Sequence, residues 1–243
     1  MNGLSAVLAG IAVGAGIALG ALLLSQPLAQ VADQQKKISV KGYAERNVDA
    51  DVGVWRATLK VRANTLPGAY AELNKANAAM AAWLSDRKLD PKQLLVKPAD
   101  VQAQYALTRD GMQTSQVTGY VLTQGVQVSG RSVDEITALH AALPALLSRG
   151  VEFDDAKPEY YVSKIEDVKL SLVADATSNA RKRAEEFAKS GGLAVGTLRS
   201  ASQGVFQIVP PGSGEVADFG RYDTSTIAKT VKLVVSVEYS LSR

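Results

Sequence analysis

The sequence predicts an α+β fold: a mainly antiparallel sheet with helices packed on one face, preceded by one N-terminal transmembrane helix. Two observations predict it. No charged residue precedes Asp33, although charged residues make up 21% of the 243-residue chain. Beyond that point, segments with apolar residues at every second position alternate with segments in which apolar residues recur every three or four. We therefore divide the chain into an anchor (residues 1–26), a linker (27–37) and an α+β domain (38–243).

The uncharged run at residues 4–24 predicts the membrane anchor. As a helix this run is roughly 31 Å long, which matches the hydrocarbon thickness of a bilayer. A cleaved signal peptide has a shorter apolar region that follows basic residues, and no Lys or Arg precedes this run. We expect an uncleaved anchor; removal near Ala29, with secretion of the domain, is the alternative. Lys36 and Lys37 follow the run, so charge alone favours a cytoplasmic domain.

Small residues in the anchor fall on two stripes on different sides of the predicted helix. The first stripe contains Gly3, Gly10 and Gly14, and the second contains Ala12, Gly16 and Gly20. Small residues let membrane helices approach closely. Two stripes predict that each helix contacts two neighbours, which indicates a ring or cluster of copies. The alternative is that Gly and Ala are simply frequent in such segments.

The domain begins with two alternating segments, at residues 38–48 and 52–63, which we predict to be strands joined by a turn. A helix follows, capped by Thr65 with Pro67 in its first turn, and Asp90-Pro91 ends it. Two further strands, near residues 101–107 and 120–128, flank a turn at Asp110-Gly111.

The second helix opens at a capping box formed by Ser132 and Glu135, and Pro144 should kink it. Short strand pieces are expected at residues 151–153 and 160–163. The longest helix spans about residues 166–190. Its predicted inner face contains Leu170, Val173, Ala174, Thr177, Ala180, Ala184 and Phe187.

A strand at residues 195–209, interrupted at Gly204, leads into a long loop at 210–225, and the chain ends in a strand at 227–241 with clear alternation. The unit strand–helix–strand–strand occurs around the first and third helices. This order hints at an internal duplication, although no repeat is visible residue by residue.

Composition argues against several function classes. The chain has no cysteine, which removes disulfides, thiolate metal sites and cysteine nucleophiles. A single histidine, His140, cannot build a His-based zinc site within one chain. The net charge of +3 is too small to indicate nucleic-acid binding. We therefore predict a protein that is not an enzyme and that has no catalytic, metal or cofactor-binding residues.

Basic side chains form the first candidate surface. Lys41, Arg56, Lys60 and Arg62 are expected to share the outer face of the first two strands. Such a face would bind anionic lipid or a partner, or line the lumen of a ring, and a solvated sheet face is the alternative. We interpret His140, on the edge of an apolar helix face, as a structural residue.

Acidic side chains form the second candidate. Glu152, Asp154, Asp155 and Glu159 offer a cation site or an acid–base pair, but a solvated loop between strand and helix is the simpler interpretation. The loop at 210–225 is a third candidate, because its length is typical of a segment that contacts a ligand or a protein partner.

Several short segments, taken in order, resemble one known family. They are residues 39–45 (SVKGYAE), 71–80 (AELNKANAAM), 117–120 (VTGY), 180–188 (ARKRAEEFA) and 237–239 (VEY). Their order and spacing are similar to those of the SIMPL-domain family, bacterial envelope proteins that include the periplasmic immunogenic and oxidative-stress-defence proteins. Each segment alone is an ordinary helix or strand pattern, and the resemblance covers residues 38–243.

The resemblance implies an envelope-facing α+β domain that assembles into large rings and has no established catalytic residues. It places the domain in the periplasm, against the weak charge argument from Lys36 and Lys37. We therefore expect a non-enzymatic scaffold that is anchored in the inner membrane by a single span, contacts lipid, and binds itself in more than a dimer, in a ring or pore-like form. A periplasmic binding module that uses the loop at 210–225 is the alternative, and a stress-defence role follows only from the resemblance.

Overall fold

The computed structural model describes residues 36–89, 93–214 and 219–243. Within these ranges the chain is a mixture of strands and helices, as predicted. The strands are β1 (Lys37–Asp49), β2 (Val52–Ala63), β3 (Leu94–Leu107), β4 (Gln113–Arg131), β5 (Phe153–Tyr161), β6 (Ala194–Gln203), β7 (Gln207–Val209), β8 (Arg221–Tyr222) and β9 (Ala228–Ser242). The helices are α1 (Leu66–Asp86), α2 (Val133–Ala141), α3 (Pro144–Leu147) and α4 (Ile165–Ser190).

The strands form two sheets, which corrects the expectation of a single one. The central sheet has the order β3-β4-β2-β5 and is antiparallel throughout. The terminal sheet contains β1, β9, β7 and β8 in that order, with β6 also paired to β9. Its one parallel pair in the described residues is β7 with β8. Each sheet has its own helices and its own hydrophobic core.

The two strands that open the domain do not pair with each other, although the sequence led us to expect that they would. β1 pairs along its whole length with β9, from Lys37 opposite Ser240 to Asp49 opposite Ala228. β2 lies in the central sheet, between β4 and β5. Alternation defines which face of a strand is buried, but it does not define the partner strand. The turn between β1 and β2 therefore carries the chain from one sheet to the other.

The same strand–helix–strand–strand path occurs in both halves. In the central sheet the path is β2, α1, β3 and β4, with β4 between β2 and β3. In the terminal sheet it is β1, α4, β6 and β9, with β9 between β1 and β6. In each half the last strand inserts between the first two. The two halves therefore share an arrangement, but not the predicted duplication, because the strand that directly precedes α4 is β5 and lies in the central sheet.

The core of the central sheet lies under α1, α2 and α3. Thr65 caps α1 by accepting a hydrogen bond from the backbone N–H of Gly68 at 3.2 Å, and Ser132 and Glu135 form the predicted capping box on α2. The rings of Trp55 on β2 and Trp83 on α1 lie 6.1 Å apart, and both side chains are fully buried. The alternation predicted for β2 is confirmed, since Trp55, Ala57 and Leu59 are buried and Val61 packs against the same core.

Helix α4 covers the terminal sheet with a face that only partly matches the predicted one. Its buried residues are Leu172, Ala176, Ala180, Ala184 and Ala188. Leu170 and Phe187, which were predicted to face inward, are 74% and 65% exposed. The prediction is confirmed for Ala180 and Ala184, which are fully buried, and wrong for these two large side chains. The helix instead buries a row of alanines four residues apart, which lets its backbone lie close to the sheet.

Two further differences concern segment boundaries. Pro144 does not kink one helix but starts a second one, because proline is well placed in a first helical turn and poorly placed in a helix interior. The acidic stretch that was interpreted as a loop belongs to a continuous strand, β5. Phe153, Ala156 and Tyr160 of this strand belong to, or pack against, the core of the central sheet.

The predicted membrane anchor and its glycine stripes lie outside the described residues. Among the helices that are described, none combines the length and the hydropathy that a membrane crossing requires.

Candidate functional site

The open face of the central sheet is covered by ion pairs between β2 and β5. Arg56 contacts Glu159 at 2.6 Å, Arg62 contacts Glu152 at 3.3 Å, and Lys60 is hydrogen-bonded to Asp154. The antiparallel register brings these residues together on the face opposite the helices. The predicted basic surface and the predicted acidic group are therefore the two halves of one mixed-charge surface.

The Arg56–Glu159 pair is the most structured part of this face. Tyr161 donates a second hydrogen bond to Glu159, at 2.7 Å. Burial on its own would raise the pKa of Glu159, but hydrogen bonds from Tyr161 and Arg56 outweigh burial and lower that pKa. The hydrogen bond to Glu159 in turn raises the pKa of Arg56. Both groups are therefore charged at neutral pH, and Glu159 is poorly suited to act as a general acid.

A groove of about 200 Å³ lies on the same face. Asp155 and Glu159 line it together with Arg56, Lys97 and Lys157, above Gly125 in β4. Lys157 contacts Asp155 at 3.4 Å, so each carboxylate in the groove has a basic neighbour. The groove brings two of the acidic residues together, but as members of ion pairs on an exposed surface, where such pairs contribute about 0–1 kcal/mol.

Lys41 is separated from the other three residues of the predicted basic surface. It lies on β1, in the terminal sheet, whereas Arg56, Lys60 and Arg62 lie on β2, in the central sheet. The expectation that all four share one face was wrong, because it assumed that β1 and β2 are neighbours.

His140 is half-buried on α2, consistent with the structural interpretation. Its Nδ1 atom is buried and has no hydrogen-bond partner among the described residues. In those same residues, no group of three or more His, Cys, Asp or Glu side chains is placed to hold a metal ion.

The loop at residues 210–225 is attached to the terminal sheet on both sides of residues 215–218, which are not described. Lys232 donates to the backbone oxygen of Ser213 at 2.6 Å, and Gln207 donates to that of Phe219 at 3.0 Å. The ring of Phe219 itself is 74% exposed.

The β3–β4 hairpin carries an exposed apolar surface. β2 ends at Ala63, opposite Tyr120, so residues 104–119 extend beyond it and, within the described part of the chain, pair only with each other. We call this segment the hairpin arm. Its exposed apolar side chains are Tyr105, Leu107, Met112 and Val117, and those of Leu107 and Met112 are 67% and 66% exposed. Exposed apolar clusters of this kind mark contact surfaces.

A junction of hydrogen bonds joins the two sheets. The backbone N–H of Tyr160 on β5 donates to Thr224 O at 2.8 Å, and that of Val162 donates to the hydroxyl of Tyr222 on β8 at 3.3 Å. The loop formed by residues 223–226 packs on the fully buried side chain of Lys229. The Nζ atom of Lys229 donates to Asp223 O and Thr226 O at 2.6 and 2.5 Å. The junction is therefore built around one buried cation.

The sequence was compared with those of known proteins. The profile of the SIMPL family, described as a protein of unknown function (DUF541), matches residues 38–239. The chain belongs to the SIMPL family. No curated protein gives a significant match. The resemblance drawn from short segments is therefore confirmed, and the SIMPL match includes both sheets.

Sequence reasoning missed two features of this SIMPL domain. The hairpin arm was not predicted as a surface, because residues 101–107 were predicted only as a strand before the Asp110-Gly111 turn. How far that strand extends beyond its neighbour β2 depends on strand pairing, which the local pattern does not specify. Lys229 was not singled out either, because a lysine at the start of an alternating strand is ordinarily exposed.

Proposed function

We propose that the chain is a non-enzymatic, membrane-anchored protein of the bacterial cell envelope whose SIMPL domain self-assembles into a ring-like scaffold. The hairpin arm is the observation that carries the proposal. Two of its side chains, Leu107 and Met112, are about two-thirds exposed at a position where β2 no longer supports the sheet. A second copy that covers this surface removes it from water, which stabilises the contact.

The chemistry of the charged face fits a scaffold better than an enzyme. The acidic residues of β5 have basic partners on β2 or β5, and the pKa of Glu159 is lowered rather than raised. A general acid at neutral pH requires the opposite shift. Periplasmic placement of the domain and an inner-membrane anchor rest on the sequence, and we propose them with the scaffold.

The test is the mass of the full chain, purified in detergent and measured by mass photometry. We expect assemblies larger than a dimer. Changing Leu107 and Met112 together to Glu should raise the concentration of half-assembly by about tenfold, because both apolar side chains would otherwise be buried in the contact. Leu170→Glu, on an equally exposed residue of α4, is the matched control and should leave assembly unchanged.

A monomer at working concentration would contradict the proposal. It would favour the alternative, a periplasmic binding module that uses the loop at residues 210–225, where the ring of Phe219 is exposed. N-terminal sequencing of the same sample checks the anchor, since a chain that begins near residue 30 has lost it.

A further inference from the structure

The sheets have two edges that are capped within the molecule. On β1, the backbone N–H of Tyr43 donates to Asn179 Oδ1 of α4 at 3.1 Å. On β5, the backbone N–H of Tyr160 donates to Thr224 O at 2.8 Å. Side chains and loop backbone thus occupy hydrogen-bonding groups that a further strand would need.

The outer strands β3 and β6 lack such caps. Among the described residues, β3 pairs only with β4 and β6 only with β9. Irregularities interrupt parts of both strands, but residues 99–104 of β3 and 200–203 of β6 keep a continuous register with their partners. Unpaired edges of this kind are templates for pairing with another chain.

The regular part of the β3 edge and the β6 edge carry opposite charges, and Lys97, the other charged residue of β3, lies at the irregularity between Val96 and Ala99. From residue 99 to residue 107, the single charged residue is Asp100, and in the whole of β6 it is Arg199. Both side chains are exposed, and neither forms an ion pair within the described part of the chain. Pairing β3 with β3 would bring two carboxylates together, and pairing β6 with β6 would bring two guanidinium groups together. Pairing β3 with β6 brings opposite charges together, which is the favourable arrangement across neighbouring strands.

We propose that the β3 edge of one copy pairs with the β6 edge of the next copy. This inference rests on the proposed self-assembly and assigns the surfaces that perform it. β3 and β6 occupy corresponding positions in the two halves of the fold, but they belong to different sheets. A contact between two different surfaces repeats from copy to copy and closes into a ring when the rotation permits. One type of contact then covers both open edges of every copy.

The first experiment exchanges the two charges in the full chain, purified in detergent. Asp100→Arg alone and Arg199→Asp alone should each raise the concentration of half-assembly by about three- to tenfold, because each replaces an attraction with a repulsion. The double variant should restore assembly. Glu186→Arg and Lys182→Asp are matched controls at exposed positions of α4, outside the two edges and the hairpin arm. Circular dichroism checks that each variant is folded.

The second experiment uses the absence of cysteine from the natural sequence. Full chains carrying Gln102→Cys on β3 are mixed with full chains carrying Thr197→Cys on β6, and the mixture is oxidised. Antiparallel pairing that places Asp100 opposite Arg199 also places these two exposed positions opposite each other. We expect the mixed disulfide to dominate over both homodisulfides.

The outcomes separate the inference from the proposed function. Dominant homodisulfides, or a double charge variant that assembles no better than the single variants, would overturn the β3–β6 contact while leaving self-assembly in place. An unaltered chain that is monomeric would overturn both.

Discussion

At Gly42 on β1, helix α4 lies so close to the sheet that there is no room for a side chain. A Cβ atom at this position would overlap the carbonyl oxygen of Ala176 and lie 2.7 Å from Ala180 Cβ. Ala176 and Ala180 belong to the buried row of alanines on α4. The glycine in the strand and the alanines in the helix are thus two sides of one close contact.

Gly42→Ala should therefore destabilise the protein by about 1–3 kcal/mol, because the helix must move away from the sheet to admit the methyl group. Gly214→Ala is the matched control, since a Cβ there meets nothing within 4 Å. Urea unfolding of both variants measures the difference in the free energy of unfolding. Equal stability of the two would show that α4 shifts without cost.

At the scale of elements, local signals predicted most of the helices and strands. The cap at Thr65, the capping box at Ser132 and the alternation of β9 were read correctly. Each of these signals lies within a few residues of the feature it specifies. The inner face of α4 was predicted correctly at Ala180 and Ala184 but not at Leu170 and Phe187, because close helix–sheet packing favours alanine there. The glycine that permits this packing lies more than 130 residues away in the chain.

Partnership between elements was less predictable. The placement of β1 beside β9 and of β2 beside β5 depends on contacts between distant parts of the chain, which alternation does not encode. The predicted basic surface and the predicted acidic group could not be recognised as neighbours for the same reason. Arg56 and Glu159 were each identified from the sequence, but only the pairing of β2 with β5 shows that they neutralise each other.

The anchor remains an element predicted from sequence alone, and its two glycine stripes make a specific prediction. If each helix contacts two neighbours, Gly14→Leu and Gly20→Leu should both weaken assembly more than Leu22→Ala does, because leucine blocks close approach of the backbones. Mass photometry in detergent measures the three variants against the unaltered chain. Comparable effects in all three would remove the stripes from the explanation of assembly.

At the scale of the whole molecule, one buried ion pair supports the loop that joins the two sheets. Burial lowers the pKa of Lys229, and the nearby Asp223 carboxylate, 3.4 Å away, opposes that shift. For Asp223, burial acts in the opposite direction and would raise the pKa. Hydrogen bonds from Thr226 and Ser225 outweigh burial and hold the pKa of Asp223 well below its usual range. The ionised form of Asp223 therefore stabilises the folded state relative to the unfolded state.

The sign of this effect sets a pH dependence. Because the pKa of Asp223 is lower in the folded protein than the ordinary value of about 3.9, its stabilisation is present above about pH 4 and is lost as the pH falls further. Asp223→Asn should destabilise the protein by about 2 kcal/mol at pH 7 and by clearly less at pH 2.5. Urea unfolding at both pH values tests this, with Asp110→Asn as an exposed control. If Asp223→Asn lowered the free energy of unfolding equally at both pH values, the stabilisation would not come from the ionised carboxylate of Asp223.

The pairing of β1 with β9 also determines how the domain would respond to tension. The first residue of β1 and the last residues of β9 lie at the same end of the terminal sheet, with Lys37 opposite Ser240. A pull applied at the start of β1 and at the end of β9 would therefore separate these two strands one hydrogen bond at a time, rather than shear them all together. The strands of the central sheet lie between β1 and α4 in chain order, so the central sheet would bear no force until β1 had separated from β9.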